Sequence, residues 1–178
     1  LRIYRRNLPH WRQDGATYFT TFRLADSIPK QILHDWREEQ RQWYQAHELT
    51  DELTPEEWRD KYQEIHELDR QAFQRRNARR LLLEVDKGHG SCLLRSATAQ
   101  DILASAMMHF HGDRCWCGDF AIMPNHTHWI IQPISGHELE DVVGSVKRYA
   151  AVHCGKHSLS LDSDRFWQTE AHDRLIRD

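Results

Sequence analysis

No stretch of this 178-residue sequence approaches the roughly 20 consecutive apolar residues that a helix needs to cross a bilayer. Nor does a charged segment lead into a short apolar one, the pattern of a secretory leader, so nothing in the sequence predicts secretion. Cysteine is sparse: Cys92, Cys115, Cys117 and Cys154 are too few and too scattered for a disulfide scaffold. Reduced thiols in a cytosolic setting are the expectation. Internal repeats, low-complexity tracts and flexible linkers are missing too. So is any excess of positive charge. The formal net charge is −3, which by itself counts mildly against a nucleic-acid binder.

What is present softens that exclusion. Acidic residues gather between Asp35 and Asp69, whereas Arg2, Arg5, Arg6 and Arg12 open the chain with few acids beside them. The 13 histidines and seven tryptophans are many for this length, and both residue types suit sites that handle bases, phosphates or metals. The length fits one domain carrying a large insertion.

Thr17 to Leu24 is rich in β-branched and aromatic residues and lies between Asp14-Gly15 and Pro29, which predicts a strand. From Pro29 to about His47, Ile32, Leu33, Trp36 and Trp43 share a helical face. Thr54-Pro55-Glu56-Glu57 reads as a capping box with proline at the first helical position. The spacing of Trp58, Tyr62, Ile65, Leu68 and Ala72 then predicts one helix to about Val85, ended by Gly88 and Gly90. These two helices form an expected αα-hairpin inserted at about 30–87, its charges read as a solvated face. Ser96 or Thr98 caps a third helix, with Ile102, Leu103, Ala106, Met107 and Phe110 as its stripe. Strands follow at Arg114 to Met123 and His126 to Pro133, joined by Pro124-Asn125. A helix from about Glu138 to His153 buries Leu139, Val142, Val143, Val146 and Ala150, and the tail from Arg165 starts extended. The order predicts an α+β domain: an antiparallel sheet covered by helices.

In "MPNHTHWIIQP" the strand alternation puts His126, His128, Ile130 and Gln132 on one face and Thr127, Trp129 and Ile131 on the other. Imidazoles two residues apart on a strand converge on one divalent cation and leave further positions open. Spacing alone is equally met by two satisfied strand histidines. By the same alternation Cys115 and Cys117 share a face of the neighbouring strand, which leaves a Cys₂His₂ zinc site with His126 and His128 as a rival.

The segment "MPNHTHWII" resembles the His-hydrophobe-His motif of HUH endonucleases, in the form found in single-tyrosine transposases. The blocks "YRRNLPHW", "GATYFTTFRLADSIP", "DKGHGSCLLR", "LASAMMHFHGDRCWCGDFAIMPNHTHWIIQP", "SVKRYAA" and "FWQTEAHDRLIRD" are similar, in order, to those of REP-associated tyrosine transposases. Only the acidic hairpin falls outside the resemblance. It departs from the pattern at Thr127, where the family carries a bulky hydrophobe; that side chain faces away from the histidines.

The resemblance implies a ferredoxin-like HUH fold and DNA transposition through single strands. His126 and His128 would bind Mg or Mn, and a tyrosine hydroxyl would attack the scissile phosphate to leave a 5′-phosphotyrosine link. The partner implied is single-stranded or hairpin DNA, without a membrane, in the bacterial cytosol or nucleoid. A homodimer is left open, as is a descendant that binds DNA without cleaving it. Of the five tyrosines, Tyr149 follows the histidine pair on a helix, but it borders an apolar stripe. In the family the nucleophile lies beyond the last block, so the resemblance places it C-terminal to Asp178. Arg5, Arg6, His10, Trp11 and Arg12 mix guanidinium with aromatic rings, a composition suited to phosphate clamping and base stacking. Lys147 and Arg148 lie off the apolar stripe, and Trp167, Gln168, Arg174 and Arg177 lie in the last block; these complete the expected DNA contacts.

Overall fold

The computed structural model describes residues 2–5, 9–159, 161, 165–169 and 171–176, with side chains from Gln13 onward. Arg6 and Arg177 lie outside the described residues, as do the side chains of Arg5, His10, Trp11 and Arg12. The basic N-terminal arm is a two-stranded antiparallel hairpin, β1 (Arg2–Arg5) and β2 (Pro9–Arg12), which the sequence reading had not placed.

The main sheet is antiparallel, in the order β4-β5-β3-β6. It comprises β3 (Tyr18–Arg23), β4 (Cys115–Ile122), β5 (His126–Pro133) and β6 (His172–Leu175). Strand β3 is central, pairing with β5 on one side and β6 on the other. Its alternation is clean: Tyr18, Thr20 and Phe22 stand opposite Ile131, Trp129 and Thr127. Phe19, Thr21 and Arg23 stand opposite Ile130, His128 and His126 on the other face.

The first of these faces is the core. Helices α4 (Ala97–Met108) and α5 (Leu139–Lys156) supply Ala99, Leu103, Ala106, Met107, Val142, Val143, Val146 and Ala150 to one buried cluster with Trp129, Ile131, Tyr18 and Phe22. The expected stripes of both helices therefore hold. Phe110 joins the cluster from beyond the end of α4 and Ile102 from its margin, each only half-buried. The fold is an α+β arrangement with helices on one face of an antiparallel sheet. The face that carries the histidines holds the site described below, with Thr21, Arg23 and His126 buried.

The segment between β3 and the 3₁₀ turn Leu93–Arg95 differs from the expected pair of helices. Helix α1 spans Lys30–Ala46, but the predicted second helix is two: α2 (Pro55–Glu64) and α3 (Glu67–Val85). Ile65 and His66 adopt extended backbone, with ψ of 136° and 134°, and the His66 ring accepts from the Leu68 amide to start α3 afresh. The break lets Tyr62 and Phe73 meet in one small core with Tyr44, Leu49 and Trp58, where one unbroken helix would hold them turns apart. Leu68 and Ala72 consequently leave the stripe and are exposed. The Thr54 capping box forms as expected.

Among the described residues no helix is long and apolar enough to cross a membrane.

Candidate metal centre

Three backbone devices hold the histidine pair in place. Pro124 and Asn125 form a two-residue turn closed by the Met123 amide donating to the His126 carbonyl at 2.9 Å. The turn's own carbonyls are occupied: Leu94 N donates to Pro124 O at 3.0 Å, and Leu24 N to Asn125 O at 2.9 Å. The first residue of β5 is thus clamped by the end of β3 and by the 3₁₀ turn Leu93–Arg95. A third anchor fixes the loop after α3. Gly90 has φ of +83°, and a Cβ there would meet the Asp26 carbonyl oxygen at 2.5 Å. Next to it, Ser91 N donates to the Asp26 carboxylate at 2.7 Å.

On this frame the Nε2 atoms of His126 and His128 lie 3.0 Å apart. An Asp86 oxygen stands 3.6 Å from His126 Nε2, and one ligand atom from each of the three lies within 4.8 Å of the others. A separation of 3.6 Å is too long for a hydrogen bond. It suits two donors about 2.1 Å from a common ion, and 3.0 Å suits a neighbouring pair of donors at roughly a right angle. The set fits a divalent cation with open positions.

The second nitrogens are also assigned by their partners. Asn125 Nδ2 donates to the His89 carbonyl at 3.1 Å, so its Oδ1 faces His126 Nδ1 at 2.8 Å as an acceptor. His126 must therefore carry its proton on Nδ1, which frees the Nε2 lone pair. His128 Nδ1 meets Thr21 Oγ1 at 2.9 Å, and its ring stacks on Phe19 at 5.2 Å. Burial pushes His126 down to about 4, helped by His128 and opposed by Asp86. Burial likewise holds His128 below its ordinary value, against Asp86. Both imidazoles are neutral near pH 7, the form that ligates.

Opposite His126 in the register sits Arg23, buried, donating to Ser27 Oγ at 3.0 Å. Burial lowers it to about 10, with Arg37 pushing the same way, so it still carries its charge at pH 7. It is a buried cation on the same face of the sheet as the histidines, its guanidinium held by Ser27 and the Leu24 carbonyl.

Asp86, Asn125, Thr21, Phe19 and Arg23 were not singled out from the sequence. Asp86 lies forty positions before His126, beyond the reach of any local period; the register of β3 against β5 gives Phe19, Thr21 and Arg23, and the turn before β5 gives Asn125.

The zinc rival is corrected. Cys115 and Cys117 stand opposite Pro133 and Ile131, and both pack with the core on the face away from the histidines. Cys117 accepts from the Trp129 indole at 3.0 Å. Burial raises both thiols, Cys115 to about 11, which disfavours the thiolate a zinc ion needs.

Arg174 is exposed and stands opposite Phe19, on the histidine face. Trp167 is a core residue, edge-on to Phe22 and donating to the Lys147 carbonyl, so its ring offers no open face to a base. Gln168 is half-buried and its backbone N–H donates to the Arg23 carbonyl at 2.9 Å. Lys147 and Arg148 belong to α5, across the sheet from the site; the Lys147 ammonium donates to the Gln168 and Thr169 carbonyls. Tyr149 is exposed on the same helix and stacked on His153 at 3.9 Å. Tyr18, Tyr44 and Tyr62 are buried in the two cores. None of these four tyrosines lies on the histidine face.

No family model matches the sequence, and no curated protein matches it. Among solved structures it is similar to one described as a REP-associated tyrosine transposase bound to a REP hairpin, at 13% identity and a TM-score of 0.46. The alignment covers 100% of this chain and 64% of that one, so the chain spans less than two thirds of that protein's length.

Proposed function

We propose that this chain is one HUH-type domain with a helical insertion at about 30–87, and that it acts as a transposase-like endonuclease and strand transferase on single-stranded or hairpin DNA. One observation carries the reading: two neutral imidazoles and a carboxylate converge, with hydrogen-bonded second nitrogens, on the face of the sheet opposite the core. The ordered sequence blocks described above supply the DNA chemistry. They include the histidine motif itself.

A divalent cation, Mg or Mn, held by His126, His128 and Asp86 would neutralise charge on a phosphodiester oxygen. The protein's own groups do the rest. Asn125 and Thr21 orient the imidazoles, Arg23 adds a fixed positive charge, and Phe19 with Arg174 extends the face along the adjoining strands. In the reading, a tyrosine hydroxyl outside residues 1–178 attacks phosphorus. A P–O bond to tyrosine forms, the bond to the 3′ oxygen breaks, and that oxygen leaves as a hydroxyl after taking a proton.

A second reading, DNA binding without cleavage, is favoured by the four described tyrosine side chains all lying away from the site. One experiment separates the two. The complete protein, including whatever follows Asp178, is incubated with hairpin oligonucleotides bearing single-stranded flanks, with and without Mn. The transposase reading expects a covalent protein–DNA adduct, absent after chelation and absent in His126→Ala. Metal-dependent DNA binding without any adduct supports the second reading.

A further inference from the structure

Helix α3 has two faces of opposite character. From Arg70 to Leu83 it contains five arginines and no acidic residue, although the insertion as a whole is acidic. Two of the five are structural. Arg80 lies over Trp36 at 4.8 Å and pairs with Glu39, while Arg70 lies over Tyr62. Arg75, Arg76 and Arg79 are exposed, and no carboxylate pairs with them among the described residues; Arg76 lies over Phe73 at 5.7 Å and Arg75 donates to Gln71 Oε1 at 3.1 Å.

Their phase is informative. Asp86 keeps helical backbone at the end of α3, with φ of −65° and ψ of −19°. At about 100° per residue, Arg79 and Arg75 fall within about 20° of the Asp86 direction. The buried residues Phe73 and Glu84 fall on the opposite side, at about 140° and 160°. Leu68, at 62% exposure, lies in line with Asp86 near the other end of the helix. The one helix face that presents Asp86 to the histidines is therefore also the face that carries Arg79 and Arg75. Along the axis they stand about 10 Å and about 16 Å from Asp86, one turn apart.

We propose that the exposed face of α3 is a rail for the DNA backbone, with Arg75 and Arg79 holding successive phosphates of the strand that enters or leaves the metal centre and Arg76 flanking them. The inference rests on the DNA-handling reading above. Guanidinium groups unpaired by carboxylates, repeating at one helical turn along the line to Asp86, suit the spaced phosphates of a polyanion. Such contacts position the strand without reading its sequence.

The test measures affinity of the whole chain for a fluorescent DNA hairpin with a single-stranded flank, across a range of salt. Each phosphate contact contributes roughly 0.7–0.9 to the slope of log K against log salt, so Arg75→Gln with Arg79→Gln is expected to flatten the slope by about 1.4–1.8. Lysine at both positions is expected to restore it. Arg41→Gln, on α1 and already paired with Glu38, is expected to leave it unchanged. Thermal unfolding and Mn binding of the double variant should match the unsubstituted chain, because both side chains are exposed. An unaltered slope in the double variant, or the same flattening in Arg41→Gln, overturns the rail while leaving the metal centre standing. Failure of the unsubstituted chain to bind the hairpin at all overturns the DNA reading and this inference together.

Discussion

At the scale of single residues, the centre depends on hydrogen bonds that fix which imidazole nitrogen is free. Asn125 is the clearest case, since its amide joins His126 to the loop that carries His89. Asn125→Ala is expected to weaken divalent-metal affinity about 10–100-fold, the usual effect of losing such a partner, as read by calorimetric titration. A different carboxylate sets a pH dependence. Glu140, in the first turn of α5, is raised to about 7 by burial, with Asp173 and Asp141 adding to the shift. Between about 4.5 and 7 the folded chain holds more protons there than the unfolded chain. Its contribution to stability therefore falls as pH rises through that window. Glu140→Gln is expected to remove this loss, so its melting temperature should gain on the unsubstituted chain as pH goes from 5 to 7. A gain of constant size across the window would show that Glu140 is not its source.

At the scale of elements, the strands and core helices were readable because each buries one periodic face. The His126–Pro133 strand begins and ends where its pattern does, and α4 and α5 bury their expected stripes. The break between α2 and α3 was not readable, because Leu68 and Ala72 continue the period of Trp58 and Tyr62 by coincidence. Only the gathering of Tyr62 and Phe73 in one small core distinguishes two helices from one. The histidine pair was legible as a metal candidate from alternation, but its third donor was not. Asp86 caps the end of α3, and the loop that follows it is tied down by Gly90 and the Ser91–Asp26 bond. Gly90→Ala is expected to destabilise the chain by more than about 1 kcal/mol and to reduce metal affinity, measured by chemical unfolding and by titration. In the sheet, Trp129→Ala is expected to cost about 3–5 kcal/mol, since that side chain is fully buried between β4 and α5 residues.

At the scale of the whole molecule, the sheet separates two tasks. One face and its helices supply the stability; the other gathers His126, His128, Phe19, Thr21, Arg23 and Arg174. The helical segment α1–α3 reaches that second face through Asp86, at the end of α3. A bound cation would then link the two parts. Saturating Mn should raise the melting temperature, by about 2.7 kcal/mol of stabilisation at a hundredfold excess over Kd, and chelation should reverse it. The most direct measurement is a Mn titration followed by electron paramagnetic resonance, on the unsubstituted chain and on His128→Ala and Asp86→Ala. The account predicts a single stoichiometric site, lost in His128→Ala and weakened in Asp86→Ala, with thermal stability of the metal-free proteins unchanged. Binding that is absent from the unsubstituted chain, or unaffected by either substitution, would contradict it.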